Sequence, residues 1–319
     1  MTCAVRESGG GWRCAGVRWP REVPELGWSR GGDRRVSVLA YGDGLGFRAV
    51  GERHCVGARG NVCPLGAVVP GRSTGGRCAE CARLDRAHSV AADTMADDPR
   101  TYRVYLAWFG PGMVKVGITG EERGAARLRE QGAVAFSWLG RGPLMAARRT
   151  EEVLRAALGV PDRIPYAKKR AVRGQLPGSE ERAGAVAELY ARAAELEGRG
   201  WPESLERLPL EVVDQVGIFG LDLDPVPGRP VRESAPAPVR SVRELVDGGV
   251  VAGRLVAAAG PDLHLAVADG GVVVLDTRLI TGWYLTAVAR VTEATEVTGT
   301  DVRVPLIDIG GGGVQGGLF

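Results

Sequence analysis

The stretch that most constrains the fold of this chain is Tyr102–Ala133, where strand, turn and helix signals follow one another closely. Tyr102–Phe109 is rich in aromatic and β-branched residues, and Met113–Thr119 has the composition of a second strand. The turn between them, Gly110–Gly112, combines glycine, which tolerates positive φ, with proline, which fixes φ. The sequence therefore predicts a β-hairpin.

A helix is predicted to follow the hairpin directly. Thr119 and, three residues later, Glu122 match a capping box, which marks the start of a helix. Arg123 and Arg127 lie four residues apart and would share one face of that helix. These signals predict a ββα unit. By spacing alone, an ordinary unit of this kind with a solvated basic face is the preferred explanation.

The hairpin and helix resemble the motif of the GIY-YIG nuclease superfamily. Val104–Tyr105 lies at the GIY position of the first strand, and Lys115–Gly117 lies at the YIG position of the second. Val114–Thr119 reads VKVGIT, the form of the variants in which a lysine, here Lys115, replaces the second tyrosine. More widely, the chain resembles an uncharacterised bacterial and archaeal family of unknown function, in which this motif, ending in Gln131–Ala133, accompanies an N-terminal cysteine cluster.

The resemblance implies a catalytic site and a nucleic-acid partner, DNA or RNA. It implies that Tyr105 orients or deprotonates an attacking water and that Arg127 offsets charge on the phosphoryl oxygens. It further implies that Glu151 holds Mg²⁺ or Mn²⁺. Lys115 would either bind phosphate or leave the site inactive.

Glu151 also stands out by its position in a predicted helix. Val134–Leu139 is predicted as a third strand, and Leu144–Leu158 as a helix with an apolar stripe that Glu151 interrupts. A carboxylate on such a stripe is costly unless it is paired or holds a metal. An ion pair with Arg148 or Arg155 is the alternative explanation.

Four of the six cysteines follow the spacing C-x7-C-x14-C-x2-C, namely Cys55, Cys63, Cys78 and Cys81. The two-residue gap in the last pair lets both thiolates face one ion. Four thiolates suit tetrahedral Zn²⁺ in a closed, structural site. His54 could replace Cys55 as a ligand. The alternatives are free core cysteines without metal and a redox pair formed by Cys78 and Cys81.

A basic run, Arg163–Arg173, is the second candidate contact surface for nucleic acid. Cations interleaved with the aromatic Tyr166 suit a phosphate backbone and a stacked base, whereas a solvated loop face is the simpler explanation. The residues predicted to bind nucleic acid are Arg123, Arg163, Tyr166, Lys168, Lys169 and Arg170.

The whole chain is predicted to be an α+β protein in three regions. Residues 1–98 form a cysteine-rich zinc-binding region, residues 99–200 a GIY-YIG-like ββα-β-α domain, and residues 201–319 a linker plus a β-rich domain with a flexible tail.

Secondary structure outside the central region is predicted from shorter signals. Val36–Tyr41 is expected to be a strand, and the remainder of residues 1–50 is expected to be irregular. Pro225–Pro238 reads as a semi-rigid linker because it is rich in proline. Short strands between residues 249 and 307, separated by turns such as Asp269–Gly271, indicate a small β-barrel or sandwich.

Composition excludes some classes of function and leaves others open. The net charge of +3 is too small to argue for nucleic acid, and P-loop and G-x-S-x-G motifs are missing from the sequence. Met1–Gly10 has no apolar signal region, and no apolar run reaches the roughly 18 residues of a membrane span, so a cytoplasmic chain without membrane contact is expected. No protein partner can be identified. Two functions remain, a metal-dependent phosphodiesterase and a non-catalytic, zinc-stabilised nucleic-acid-binding module; a zinc-stabilised protein-interaction scaffold has no positive sign.

Overall fold

The computed structural model describes residues 11–87, 98–198, 201–221, 238–288 and 302–309. The chain divides into two compact units. The cysteine unit comprises the described residues of 1–18, 23–91 and 223–319, and the central unit comprises those of 19–22 and 92–222. Within the described residues, no helix has the length and apolar character needed to cross a membrane.

The secondary structure mixes strands and helices, as predicted for an α+β chain. In chain order the strands are β1 (Trp12–Arg18), β2 (Glu25–Arg30), β3 (Asp33–Val38), β4 (Gly44–Val50), β5 (Thr101–Gly110), β6 (Met113–Gly120), β7 (Ala135–Pro143), β8 (Glu206–Arg207), β9 (Val213–Asp214), β10 (Arg240–Val242), β11 (Val250–Ala259), β12 (Asp262–Ala266), β13 (Val272–Asp276), β14 (Tyr284–Ala287) and β15 (Leu306–Asp308). The helices are α1 (Ala79–Ala87), α2 (Ala126–Gln131), α3 (Leu144–Leu158), α4 (Tyr166–Val172), α5 (Ser179–Ala194), α6 (Val216–Phe219) and α7 (Thr277–Ile280).

The central unit is built on an antiparallel five-stranded sheet in the order β6-β5-β7-β8, with β9 also paired to β7. The predicted hairpin is present as β5 and β6, whose register places Tyr105 opposite Gly117 and Ala107 opposite Lys115. Strand β6 is therefore an edge strand, and Lys115 shares a sheet face with Tyr105 because alternate residues of a strand point to the same side.

Two apolar clusters cover the two faces of this sheet. Val104, Leu106 and Val116 point to the face on which α3 and α5 pack. Tyr105, Ala107 and Phe109 point to the opposite face, where they meet Leu128 of α2. The predicted helix Leu144–Leu158 is confirmed at both ends. The sheet is thus buried on both sides, which holds the strands that carry the candidate site in fixed positions.

The predicted capping box is wrong. Thr119 lies in β6, where it pairs with Arg103 and is buried, so its hydroxyl is not at a helix start. A short 3₁₀ turn, Glu121–Arg123, follows without a side-chain cap, and the α-helix begins only at Ala126. The strand ladder extended beyond the expected end, and tertiary pairing overrode the local capping signal.

The cysteine unit contains a ten-stranded sheet in the order β15-β10-β13-β12-β11-β4-β14-β1-β2-β3. Four of these strands lie within residues 11–50, a stretch predicted from its sequence to be irregular apart from Val36–Tyr41. A register shift between Cys14 and Gly16 interrupts the pairing of β1 with β2. Such a bulge breaks the two-residue alternation by which a strand is recognised.

Strands from both ends of the chain meet in this sheet. Strand β4 pairs with β11 and β14, and β14 also pairs with β1. Residues 1–98 and 201–319, assigned to separate regions from the sequence, therefore contribute strands to one sheet. Pairing between distant segments leaves no local pattern. The predicted linker up to residue 237 and the predicted tail Gly310–Phe319 lie outside the described residues.

Candidate functional site

The four predicted cysteine ligands form a cluster in the cysteine unit. The Sγ atoms of Cys55, Cys63, Cys78 and Cys81 all lie within 4.8 Å of one another, and those of Cys63 and Cys78 are 3.9 Å apart. A tetrahedron of sulfurs at about 2.3 Å from a zinc ion has edges of about 3.8 Å. The cluster therefore has the size and the donor set to hold a metal such as zinc.

Backbone N–H groups direct the cysteine sulfurs inward. The N–H groups of Gly57 and Cys78 donate to the Sγ atom of Cys55 at 3.4 and 3.2 Å. Gly57 has a φ of +78°, and a Cβ there would lie 1.8 Å from the carbonyl oxygen of Asn61, so only glycine fits. Cys78 immediately precedes α1 and Cys81 lies in its first turn. The start of one helix therefore carries two of the four sulfurs to the cluster.

The thiols of the cluster differ in acidity. Hydrogen bonds from the backbone of Ala67, and more weakly of Leu65, lower the pKa of Cys63 to about 6. Burial and the neighbouring sulfur of Cys55 raise the pKa of Cys81 to about 12. Crowded thiolates repel one another, and a divalent cation is the usual way to relieve such repulsion.

The other candidate ligands lie apart from the cluster. The Nδ1 atom of His54 is 2.9 Å from the carbonyl oxygen of Gly66, so His54 does not replace Cys55. Cys14 is fully buried in β1, and burial raises its pKa to about 12. Cys3 lies outside the described residues.

A buried arginine ties the cysteine segment to the C-terminal strands of the same unit. Arg53 is 1% exposed and donates only to backbone carbonyls. The acceptors, at 2.6 to 3.3 Å, are the oxygens of Pro70, Ser73, Gly75, Arg278 and Thr281. Burial lowers the pKa of Arg53 to about 10. The loop before Cys78 and the end of α7 are thus held by one guanidinium.

The candidate catalytic site of the central unit begins with the contact between Tyr105 and Gly117. A Cβ on Gly117 would lie 2.3 Å from the Tyr105 Oη atom, so the ring occupies the space that a side chain would fill. Tyr105 is 2% exposed. Burial raises the pKa of Tyr105, while a hydrogen bond from Gln131 opposes the rise. The phenol therefore stays protonated at neutral pH.

Gln131, which the sequence motif does not mark as a site residue, bridges two of the predicted residues. Its Nε2 atom donates to Tyr105 Oη at 2.8 Å, and its Oε1 atom accepts from Lys115 Nζ at 3.3 Å. The available signal was the four-residue spacing from Arg127, which places both residues on one face of α2.

Glu151 lies on α3, which packs against the edge strand β6. It is half-buried, and it forms no hydrogen bond or ion pair with any residue that the structure describes. The expected alternative pairing with Arg155 is not seen, since Arg155 approaches Asp162 at 3.8 Å. Burial raises the pKa of Glu151, and Lys115 is the foremost of the cations that oppose the rise.

Arg127 lies on the exposed side of α2. Its Nη1 atom is 3.6 Å from Glu130, which also accepts from Arg123 at 2.7 Å. The charge of Arg127 lowers the pKa of Tyr105 and of Lys115, and the charge of Glu151 raises both. The four predicted catalytic residues thus come from four separate elements. Tyr105 and Lys115 each lie within electrostatic reach of both Arg127 and Glu151, whose helices α2 and α3 pack on opposite faces of the sheet.

The basic run forms α4 and does not present all of its cations to solvent. Lys169 is 4% exposed, donates to the carbonyl oxygen of Gln131 at 2.8 Å and lies 3.9 Å from the ring centre of Phe109. Tyr166 donates to the carbonyl oxygen of Glu130. Lys169 is therefore not placed to contact nucleic acid, contrary to its assignment from the sequence. Arg163 and Lys168 are exposed, whereas Arg123 is engaged by Glu130 and Arg170 is half-buried.

Comparison with known proteins gives a family and no function. A search of curated proteins and a search of solved structures each found no match. The family model described as "Protein of unknown function (DUF2797)" matches residues 42–285. The matched stretch contains the cysteine cluster and all four predicted catalytic residues. Because it covers more than half of the 319 residues, the chain belongs to the DUF2797 family.

Proposed function

We propose that the central unit is a GIY-YIG-like, divalent-metal-dependent phosphodiesterase that acts on nucleic acid, accompanied by a structural zinc site in the cysteine unit. The observation that carries the proposal is Glu151, a half-buried carboxylate without an ion pair among the described residues. Burying a charge without a partner is costly, and a ligand cation would relieve that cost. A single carboxylate with several waters suits Mg²⁺.

The side chains around Glu151 fit hydrolysis of a phosphodiester. In the reaction, water forms a new bond to phosphorus, the bond to the leaving oxygen breaks, and the proton lost by the water is balanced by one gained by the leaving oxygen. Glu151 would hold the ion, which would supply polarisation of the phosphate. Arg127 and Lys115 offset charge on the phosphoryl oxygens. Tyr105, whose burial keeps it protonated, orients water better than it deprotonates it.

The decisive experiment is cleavage of single- and double-stranded DNA and RNA with Mg²⁺ or Mn²⁺. Arg127→Ala and Glu151→Gln are each expected to lower the rate by about 10²–10³, because each removes charge that acts on the transition state or its metal. Matched controls are Arg149→Ala and Glu152→Gln, which change exposed neighbours on α3. Lys115→Tyr restores the common motif and tests whether the lysine impairs the reaction.

Equal losses in the target and control variants would contradict the assignment of the site. No cleavage of any substrate by the unmodified protein would contradict the nuclease function itself.

The alternative is a non-catalytic, zinc-stabilised nucleic-acid-binding module. Lys115 favours it, because this lysine stands where the motif has its second tyrosine, and a lysine can bind phosphate without acting on water. Binding through exposed cations would weaken as the salt concentration rises. Replacing Arg163 and Lys168 with alanine would reduce the slope of the logarithm of the binding constant against the logarithm of the salt concentration by about 0.7 to 0.9 per lost phosphate contact. Metal binding distinguishes the two functions, because the proposed nuclease binds Mg²⁺ or Mn²⁺ through Glu151 and a binding module need not bind either ion. Calorimetric titration of the protein with the metal alone measures this binding.

A further inference from the structure

The amide of Gln131 is the one side chain that joins Tyr105 and Lys115 within the described residues. Gln131 is 8% exposed, so water competes little for its hydrogen bonds. Its amide orientation follows from its partners. A lysine ammonium can only donate, so it must face Oε1, and Nε2 is then directed to the tyrosine oxygen.

This arrangement leaves the hydrogen of the Tyr105 hydroxyl unused. The hydroxyl oxygen accepts from Gln131, and the hydroxyl donates to no acceptor among the described residues. A phenol has one hydrogen to donate. With its oxygen already occupied by the amide, Tyr105 has its hydrogen free for an oxygen that enters the site.

The backbone of Gln131 is itself held from outside α2. Lys169 Nζ donates to the Gln131 carbonyl oxygen at 2.8 Å, and Tyr166 Oη donates to that of Glu130 at 3.1 Å. The last carbonyls of a helix lack partners within the helix. Helix α4 therefore provides hydrogen-bond donors for these carbonyl oxygens and fixes the position from which the Gln131 side chain reaches the sheet.

We propose that Gln131 is a positioning residue of the candidate site, whose amide sets the Tyr105 hydroxyl to donate to the attacking water and the Lys115 ammonium to donate to an oxygen of the phosphodiester. The catalytic consequence rests on the proposed function, whereas the structural link to Lys115 does not. The basic run then contributes to the site through α4 as a support for α2, and direct phosphate contact by Lys169 is unnecessary.

The link can be measured without activity because the chain has lysine only at positions 115, 168 and 169. Reductive methylation with ¹³C-formaldehyde gives one resonance for each modified lysine, and Lys115→Arg assigns that of Lys115. Gln131→Met keeps the length of the side chain but removes the acceptor, so the pKa of Lys115 falls. Gln131→Glu places a carboxylate at the acceptor position, so the pKa of Lys115 rises.

Gln215→Met is the matched control for loss of a buried amide in the same unit. Gln215 is fully buried, and its Nε2 atom donates to the carbonyl oxygen of Ala133 at 2.8 Å. This variant loses a comparable hydrogen bond and should leave the Lys115 resonance unchanged. A role of Gln131 in stability alone would give the same result as the control.

On a nucleic acid that the unmodified protein cleaves, Gln131→Met is expected to lower kcat by about 10²-fold with a smaller change in KM, and Gln215→Met to change neither. An unshifted Lys115 pKa in both Gln131 variants would overturn the proposal. If Gln131→Met does not fold, Gln131→Glu carries the same test with the opposite sign. Absence of cleavage by the unmodified protein would overturn the proposed function, while the lysine titration would still decide the role of Gln131.

Discussion

At the residue scale, the glycine of the VKVGIT segment has a direct steric role. Gly117→Ala would bring a Cβ to 2.3 Å from Oη and 2.4 Å from Cζ of Tyr105. The ring must move, and its bond to Gln131 is lost. We expect the free energy of unfolding to fall by about 1–3 kcal/mol, as for other overpacked sites, measured by urea denaturation.

The matched control for Gly117→Ala is Gly184→Ala. A Cβ on Gly184, within α5, meets nothing within 4 Å. Alanine favours a helix over glycine by about 1 kcal/mol, so this variant should be more stable. Equal effects of the two substitutions would show that Tyr105 does not occupy the space beside Gly117.

Glu151 gives a second prediction at this scale, on the pH dependence of stability. Burial raises its pKa above the ordinary value of 4.5, so the folded state disfavours its ionised form. Its contribution to stability is complete below pH 4.5 and is lost as the pH rises through the raised pKa. Without divalent metal, Glu151→Gln should therefore raise the melting temperature at pH 7 and leave it unchanged at pH 4.

Calorimetric melting curves of both proteins at the two pH values test this, with Glu152→Gln as the exposed control. A lower melting temperature for Glu151→Gln at pH 7 would mean that the carboxylate stabilises the fold, as a structural ion pair would. Added Mg²⁺ should stabilise the unmodified protein and Glu152→Gln but not Glu151→Gln, since a ligand that binds only the folded state raises its stability.

At the scale of elements, α4 places two adjacent lysines in different environments, so that only one of them stabilises the fold. Lys169 holds the end of α2 and contacts the rings of Phe109 and Tyr166, whereas Lys168 is exposed. Lys169→Met should lower the free energy of unfolding by about 2 kcal/mol, because hydrogen bonds from charged groups contribute about 1.5–3 kcal/mol.

The same substitution at Lys168 serves as the control. It should change stability by less than about 0.5 kcal/mol, the usual range for surface positions. Chemical denaturation of both variants gives the comparison, and equal effects would mean that Lys169 is not held as described.

The elements that the sequence predicted well are those whose signals are local. Hairpin β5–β6 follows from its turn, and α3 follows from the apolar periodicity of Leu144–Leu158. The capping box predicted at Thr119 is wrong because strand pairing continues past this residue. Strand β1 was not predicted because the bulge after Cys14 interrupts its alternating pattern. The Gln131 bridge depends on β5, β6 and α2 together, so no single window of sequence could reveal it.

At the scale of the whole molecule, the cysteine cluster is expected to bind metal as part of folding. Protein purified without chelator should carry about one zinc ion per chain, and Cys78→Ser should release it and lower stability, because metal binding and folding are coupled. Cys14→Ser is the control, since Cys14 is buried outside the cluster. Elemental analysis showing no zinc in the unmodified protein, or equal zinc in both variants, would contradict the assignment.

The pairing of β4 with β11 and β14 has a consequence for synthesis on the ribosome. About 200 residues separate these partners, so at roughly 5–20 residues per second the early strands wait some tens of seconds for them. Throughout that interval β4 lacks both of its neighbours, and unpaired strand edges are prone to aggregate. The residues of the central sheet emerge as one nearly continuous stretch and can fold meanwhile. Slower translation of the C-terminal codons should therefore lower the yield of native protein more than slower translation of the central ones.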